Sequence, residues 1–438
     1  MSFEISATAA PGAARPRLYA GWRIVFVCFW LAVVAWGIGF YGHGVYLADL
    51  KASRGWSTSL LSIATTSYYI AGAILVMFVG ATIDRFGPRA VVLVSTLALC
   101  LALVLLSVIS APWQLFPVYL LMAVGWAGTS WTAIPTILAR WFDRRRGLTI
   151  SIAFTGASAG GIIVPPLLIQ LSAQHGFQAA TEVIAAAALL ILVPLVMLFL
   201  DRGPQALGLH VDGADAPPTP PPAADRETAG CGENLHSLRF WTTATAFALA
   251  LTSQVGFLTH QIAVLAPALG AADAGLAVAM TTTASIAGRI GLGVVIDRLD
   301  PRTTSAIAFV VQAAAVATLI GLAAPLPILA ACIVYGVWIG NIITLPALII
   351  QREFPPSTFG AVMGWTTSIS QFSFAFGPGA LGLVRDASAN YGSVLAICAA
   401  LNVVAAALIL CRGRARPSHI RVVEDCVLDA RPTDKSSH

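Results

Sequence analysis

Arg289 is the residue whose placement most restricts the chemistry open to this chain. It stands within an apolar run, 275–296, eight residues before Asp297. On a helix rising ~1.5 Å per residue that separation is roughly 12 Å, deep inside the run if it crosses ~30 Å of hydrocarbon. A charge at such depth costs between ~3 and more than ~10 kcal/mol, and it ordinarily faces a cavity or a partner. No acidic partner is offered: the 20 Asp and Glu fall in loops, termini or run ends, Glu182 being the nearest to an exception. Two chemistries remain. The planar guanidinium fork can take both oxygens of a carboxylate, or it can cap helix carbonyls and serve packing alone. Ser285 and Thr282 precede Arg289 at 4- and 3-residue steps and share its helix face.

A second set of polar side chains lies in other apolar runs. His43 follows Trp36 and Phe40 at 4- and 3-residue spacing, and His260 and Gln261 follow Phe257. A histidine is the side chain that changes charge near neutral pH, so either could carry a proton; each could equally satisfy a hydrogen bond between helices. Tyr119 and Trp126, and further on Tyr335, Trp338 and Asn341, are candidate wall residues of a ligand cavity. Aromatic residues at such spacing also serve plain packing.

The elements that must hold these groups are membrane helices. Of 438 residues 58% are hydrophobic and 10% charged, against roughly 45–50% and roughly 25% in an average globular protein. The apolar residues come in continuous stretches of about 20 rather than alternating, which predicts an all-α polytopic membrane protein and excludes a soluble enzyme and a β-barrel. Reading runs between breakers gives twelve spans: 22–47, 59–83, 89–110, 114–139, 148–171, 179–200, 240–266, 275–296, 303–324, 328–350, 359–384 and 390–411. With the N-terminus inside, 21 of the 25 Lys and Arg fall in cytoplasmic segments, which places both termini in the cytoplasm. The net charge of +5 is therefore a topology signal, and no nucleic-acid partner is expected. The first 20 residues lack the apolar core of a leader peptide, so none is expected to be cleaved.

The spans fall into two halves. A proline-rich stretch, 202–238, carrying Ala-Pro-Pro-Thr-Pro-Pro-Pro, reads as a cytoplasmic linker. It separates an N-terminal half (22–201) from a C-terminal half (239–411), with tails at 1–21 and 412–438. The halves repeat: Gly80, Asp84, Arg85 and Arg89 align with Gly293, Asp297, Arg298 and Arg302 in a shared G-x-x-I-D-R-x-x-P-R at an offset of 213, and Pro165 aligns with Pro378 at the same offset. Gly87 belongs to the first copy. A parallel duplication of six spans is a transporter architecture. Charges recurring at one end of both halves suggest a latch that opens and closes between them, against the simpler reading of positive charge marking topology.

At these residues the sequence resembles the major facilitator superfamily, whose loop signature after the second span is approximately G-x-x-x-D-R-x-G-x-R. Within it, Arg-Trp-Phe-Asp-Arg-Arg-Arg-Gly-Leu at 140–148, Gly-Arg-Ile-Gly-Leu-Gly at 288–293 and Gly-Pro-Gln-Ala-Leu-Gly-Leu-His-Val-Asp-Gly at 203–213 look like the bacterial branch of the monocarboxylate and oxalate/formate transporters. The resemblance implies a secondary transporter of a small carboxylate, working as a monomer by rocking of two halves, with Arg289 at the carboxylate site and spans 1, 4, 7 and 10 lining the cavity. Two features depart from that pattern. Where animal members carry an aspartate one turn before the span-8 arginine this chain has Ser285, and spans 1 and 11 lack the lysines of other members. Coupling to a proton, to a counter-anion, or passage as the neutral acid all stay open. So do an exporter of neutral or hydrophobic compounds with Arg289 structural, and a sensor that binds without transporting.

Other signals point away from cofactors. Gly37-Ile-Gly-Phe-Tyr-Gly42 matches G-x-G-x-x-G but follows no strand, and no Walker sequence is present. The seven cysteines show no metal-ligand spacing, and Gly156 to Gly160 is a small-residue face for close helix packing. No cofactor and no metal are expected.

Overall fold

A chain segment in hydrocarbon must bond its own backbone, so runs of this length can only be helices or a closed barrel. The computed structural model describes residues 19–200, 203–204, 208–213, 234–321, 324–388 and 390–411, and among them the regular elements are helices. The tails and most of the proline-rich linker lie outside the described residues. Among the described residues nine helices are long and apolar enough to cross a membrane unaided. The other three crossings fail that measure for visible reasons. Span 4 is broken into Leu115–Ala127 and Ala133–Ala139 around Gly-Thr-Ser-Trp-Thr, span 11 into Phe359–Ala375 and Gly377–Ser388, and span 9, Pro301–Thr318, opens on Pro-Arg-Thr-Thr-Ser. With them the count is twelve, as two six-helix halves.

Three irregularities decide what faces the centre. Span 1 runs Gly21–Trp36, then makes a π-turn over Gly37–Tyr41, then continues as His43–Arg54. The wide turn frees carbonyls, and tyrosine hydroxyls take them: Tyr46 donates to Ile38 at 3.0 Å and Tyr68 to Gly39 at 2.5 Å. A π-turn also shifts every later residue around the helix by about one position. Span 10 runs Pro325–Ile339, tightens to a 3₁₀ turn over Gly340–Ile343, and resumes as Leu345–Glu353. There the Thr344 amide bonds Asn341 at 3.0 Å rather than Gly340. The break in span 4 lays Gly128 directly on Ser95, where no side chain would fit.

The halves meet along two helix pairs, spans 2 and 11 and spans 5 and 8. Small residues make the approach possible. A Cβ on Gly80 would lie 2.5–2.7 Å from the Gly360 backbone, and one on Gly293 2.6 Å from the Ser151 Cβ. The loops carrying the two motif copies lie on one face of the molecule, called here the motif face. Large apolar side chains such as Val94, Leu190, Leu198 and Leu383 are more than 60% exposed on the periphery, as expected where the solvent is lipid.

Candidate functional site

A cavity of about 260 Å³ lies between the halves. Its two walls differ in chemistry. The N-terminal half contributes aromatic rings, Trp36, Phe40 and Tyr41 from span 1 and Trp131 from the break in span 4; the C-terminal half contributes Gln254 and Thr259 from span 7 and Thr281, Thr282, Ser285 and Arg289 from span 8. Trp36 and Trp131 lie nearly parallel, 6° apart with centroids at 6.2 Å, and Phe40 lies over Trp126. Toward the motif face the space shrinks to a crevice of about 10 Å³ between Trp131, Leu251 and Ile343, whereas the rim on the other side, at Tyr41, Leu258 and Thr259, is exposed. The cavity is open away from the motif face.

Arg289 is buried, and its guanidinium is divided between two uses. Its Nε donates to the Gly340 carbonyl at 3.0 Å, the carbonyl at the start of the 3₁₀ turn in span 10. Its Nη1 donates across the interface to the Phe154 carbonyl and, at 3.4 Å, to Ser158 Oγ, both on span 5. Among the described residues Nη2 has no hydrogen-bond partner, and Arg289 is the one cation on the wall. No acidic residue lines the cavity among the described residues. Carbonyl capping and an arm available to an anion thus coexist in one side chain.

Of the expected wall residues, Trp36, Phe40, Thr282 and Ser285 line the cavity with Arg289, and the other candidates lie elsewhere. His43 is displaced by the π-turn: the 3.6-residue spacing that put it on the face of Trp36 and Phe40 does not survive a wider turn. It sits instead in a cage of tyrosines, with ring centroids 4.6 Å from Tyr68, 5.5 Å from Tyr119, 5.7 Å from Tyr46 and 5.8 Å from Tyr69. Neither ring nitrogen meets hydrogen-bond geometry, although the Gly39 carbonyl interacts with the ring. Tyr119 packs inside that cage, because span 4 turns its ring toward span 2 and away from the centre. Gln261 is fully buried between spans 7, 8 and 10, where its Nε2 donates to Thr281 Oγ1 at 2.9 Å. His260 lies one position round the helix, beside Tyr391 at 6.0 Å. Tyr335 packs edge-on against Phe257 at 4.8 Å within the C-terminal half, and Asn341 turns back onto its own helix, donating to Val337 at 3.0 Å. Sequence reasoning missed Gln254, a buried amide whose Oε1 has no hydrogen-bond partner, and Gln371, which bridges the halves. A lone amide in a helical run carries no signal until the neighbouring helices are known.

The motif residues divide just as unevenly. Asp297 reaches across the interface and accepts the amides of Gly147 at 2.8 Å and Leu148 at 3.4 Å, at the N-terminus of span 5. Its own carbonyl accepts Arg352 at 2.8 Å. Asp84 stays within its half, paired with Arg140 at 2.6 Å. Arg85 lies over Phe86, Arg89 donates to the Leu200 carbonyl at 3.3 Å, and Arg298 is exposed. Arg302 is 1% exposed and ties four helices of the C-terminal half together, holding Glu353 through both nitrogens at 2.5 and 2.8 Å, Thr243 at 2.9 Å and the Ile409 carbonyl at 2.8 Å. Gly87 takes a φ of 82°, which only glycine adopts without strain, and turns the chain between spans 2 and 3. Gly80, Gly293 and Asp297 therefore belong to the contact between the halves, while the bonds described for Asp84, Arg89 and Arg302 run within one half. Gln351 adds a further bond across the motif face, to Asp143 at 2.8 Å.

The chain is 26% identical over 305 residues to MFS-type transporter 1 of Ophiocordyceps sp. (strain BCC 1869), a match covering 68% of this chain and 64% of that one, so it spans less than two thirds of that relative. It is 29% identical over 175 residues to monocarboxylate transporter 9 of Mus musculus, covering 39% of this chain and 34% of the mouse protein. The solved structure of the proton:xylose symporter XylE superimposes with a TM-score of 0.67 at 14% identity, covering 89% of this chain and 95% of that one. A family model described as Major Facilitator Superfamily matches residues 25–378 and 262–424. With that match laid over twelve helices in two halves around a central cavity, this chain belongs to the Major Facilitator Superfamily.

Proposed function

We propose that the protein is a secondary transporter of a small monocarboxylate, of the bacterial monocarboxylate and oxalate/formate kind, in an inner membrane with both termini cytoplasmic and residues 202–238 linking the halves. The observation that carries this reading is Arg289: one cation, no acid among the described lining residues, at a cavity between the halves. For an anion entering from the open side Nη2 is the arm left without a partner among the described residues. To be held by the full fork it must also take Nη1, which is spent on Phe154 and Ser158 of span 5. Binding therefore competes with a bond between the halves. The same event that captures the ligand loosens the span 5 and 8 pair, which is what alternating access requires of a ligand: a different affinity for the two states. With the motif face in the cytoplasm the conformation described is outward-open, and Asp297 on the N-terminus of span 5 is the latch that keeps it so, favoured by the positive end of the helix.

One specific observation favours a second reading. Arg289 already has carbonyl partners, as an arginine with a purely structural role would, and the opposite wall is aromatic, so an exporter of neutral or hydrophobic compounds would also fit. Reconstituted flux separates the two. Vesicles holding the protein are expected to exchange labelled monocarboxylates, and Arg289→Gln to stop the exchange while the protein stays folded. Undiminished carboxylate flux in folded Arg289→Gln, or flux of neutral amphiphiles alone, would refute the carboxylate reading.

A further inference from the structure

We infer that the monocarboxylate carries an aromatic ring and a hydroxyl, a statement that rests on the carboxylate reading and narrows it. Charge comes first. With one cation and no acid among the described lining residues, a second carboxylate would be buried without a partner, so the ligand is a monoanion. The wall facing that cation is built from the rings of Trp36, Phe40 and Trp131, two of them parallel, a surface that favours a flat π-system over a compact aliphatic body. Size agrees. About 260 Å³ is just under the ~300 Å³ at which pockets for drug-sized ligands begin, room for a single ring with short substituents.

The hydroxyl follows from Gln254. It lines the cavity, is 6% exposed, and its Oε1 is buried with no hydrogen-bond partner among the described residues. A buried amide oxygen left unpaired is costly, and turning the amide over so that Oε1 meets a ligand hydroxyl recovers that cost. Gln254 stands on span 7 and Arg289 on span 8, so the carboxylate and the hydroxyl are held from two separate helices of the C-terminal half. The ring lies between them, against the N-terminal half.

The test is a ligand series read by thermal shift on the purified full chain: 4-hydroxybenzoate, benzoate, lactate and benzamide. 4-Hydroxybenzoate is expected to bind about ten-fold more tightly than benzoate, and benzoate at least about ten-fold more tightly than lactate. Gln254→Leu is expected to bring the two aromatic acids to parity. Lactate binding as tightly as benzoate would overturn the aromatic inference while leaving the carboxylate reading intact. Parity of benzoate and 4-hydroxybenzoate in the native protein would remove the hydroxyl. Benzamide equal to benzoate, or no acid binding to a folded protein, would instead sink the carboxylate reading itself.

Discussion

The two helix pairs that join the halves are related by the internal repeat, yet their chemistry is not. The offset of 213 that aligns the motifs also aligns Arg289 with Val76, Ser285 with Gly72, and Gln371 with Ser158. In the pair of spans 5 and 8 the long polar side chain, Arg289, comes from span 8 and reaches Ser158 and a carbonyl of span 5. In the pair of spans 2 and 11 it comes from span 11. Gln371 passes over Gly72, donates to the Tyr69 carbonyl at 3.2 Å and accepts Trp126 at 3.3 Å. Both bridges are thus extended by the C-terminal half onto small residues and backbone of the N-terminal half, and Gln371 also meets Trp126. One is charged and the other neutral. On the proposed function an anion in the cavity competes for the charged bridge and has little to offer the neutral one, so the duplicated scaffold would yield one joint that responds to ligand and one that serves as a pivot.

The same contrast runs through the motif copies and can be broken at graded cost. Arg302→Ala is expected to destabilise most, by about 3–5 kcal/mol, because it leaves Glu353 and several carbonyls of the C-terminal half without their partner; thermal unfolding in detergent would measure it, with Arg89→Ala as the milder counterpart. Gly80→Ala comes next, at about 1–3 kcal/mol, since its Cβ would meet rigid backbone, whereas at Gly293 the obstacle is the Ser151 side chain. Asp297→Asn removes a charge from the N-terminus of span 5 and is expected to weaken the closed motif face by about 1–2 kcal/mol, seen as greater labelling of cysteines placed there. Gln371→Ala should loosen spans 2 and 11 by about 1 kcal/mol and leave the response to carboxylate in place. Asp84→Asn should do least, under about 1 kcal/mol, because its pair with Arg140 is largely exposed. Equal effects of Asp84→Asn and Asp297→Asn on the closed face would erase the distinction between the copies.

Much of this architecture is legible in the sequence, and the exceptions have physical causes. Twelve spans and the repeat follow from apolar runs and a ten-residue motif, because lipid permits so few alternatives. Arg289 is conspicuous for the same reason: a charge in an apolar run is costly enough to mark itself. Inference from spacing fails where helices stop being regular. The π-turn at Gly37–Tyr41 rotates His43 out of the wall and Tyr41 into it, and nothing in Gly-Ile-Gly-Phe-Tyr distinguishes a π-turn from a close-packing face. Gln261 and Asn341 show the complementary limit, in that each is polar within a cavity-lining span yet spends its amide on its own half, while Tyr335 packs its ring against Phe257 there. Which face of a buried helix meets the centre is set by its neighbours.

The central claim is that Arg289 both holds the ligand and joins the halves. The most direct measurement is an electron-paramagnetic distance between spin labels at positions 145 and 298, two exposed sites on opposite halves at the motif face, with and without a saturating monocarboxylate in the native protein and in Arg289→Gln. The account predicts a longer-distance population that grows with the carboxylate in the native protein and does not respond to it in the variant. An unchanged distance in the native protein under saturating ligand, or the same response in Arg289→Gln, would contradict it.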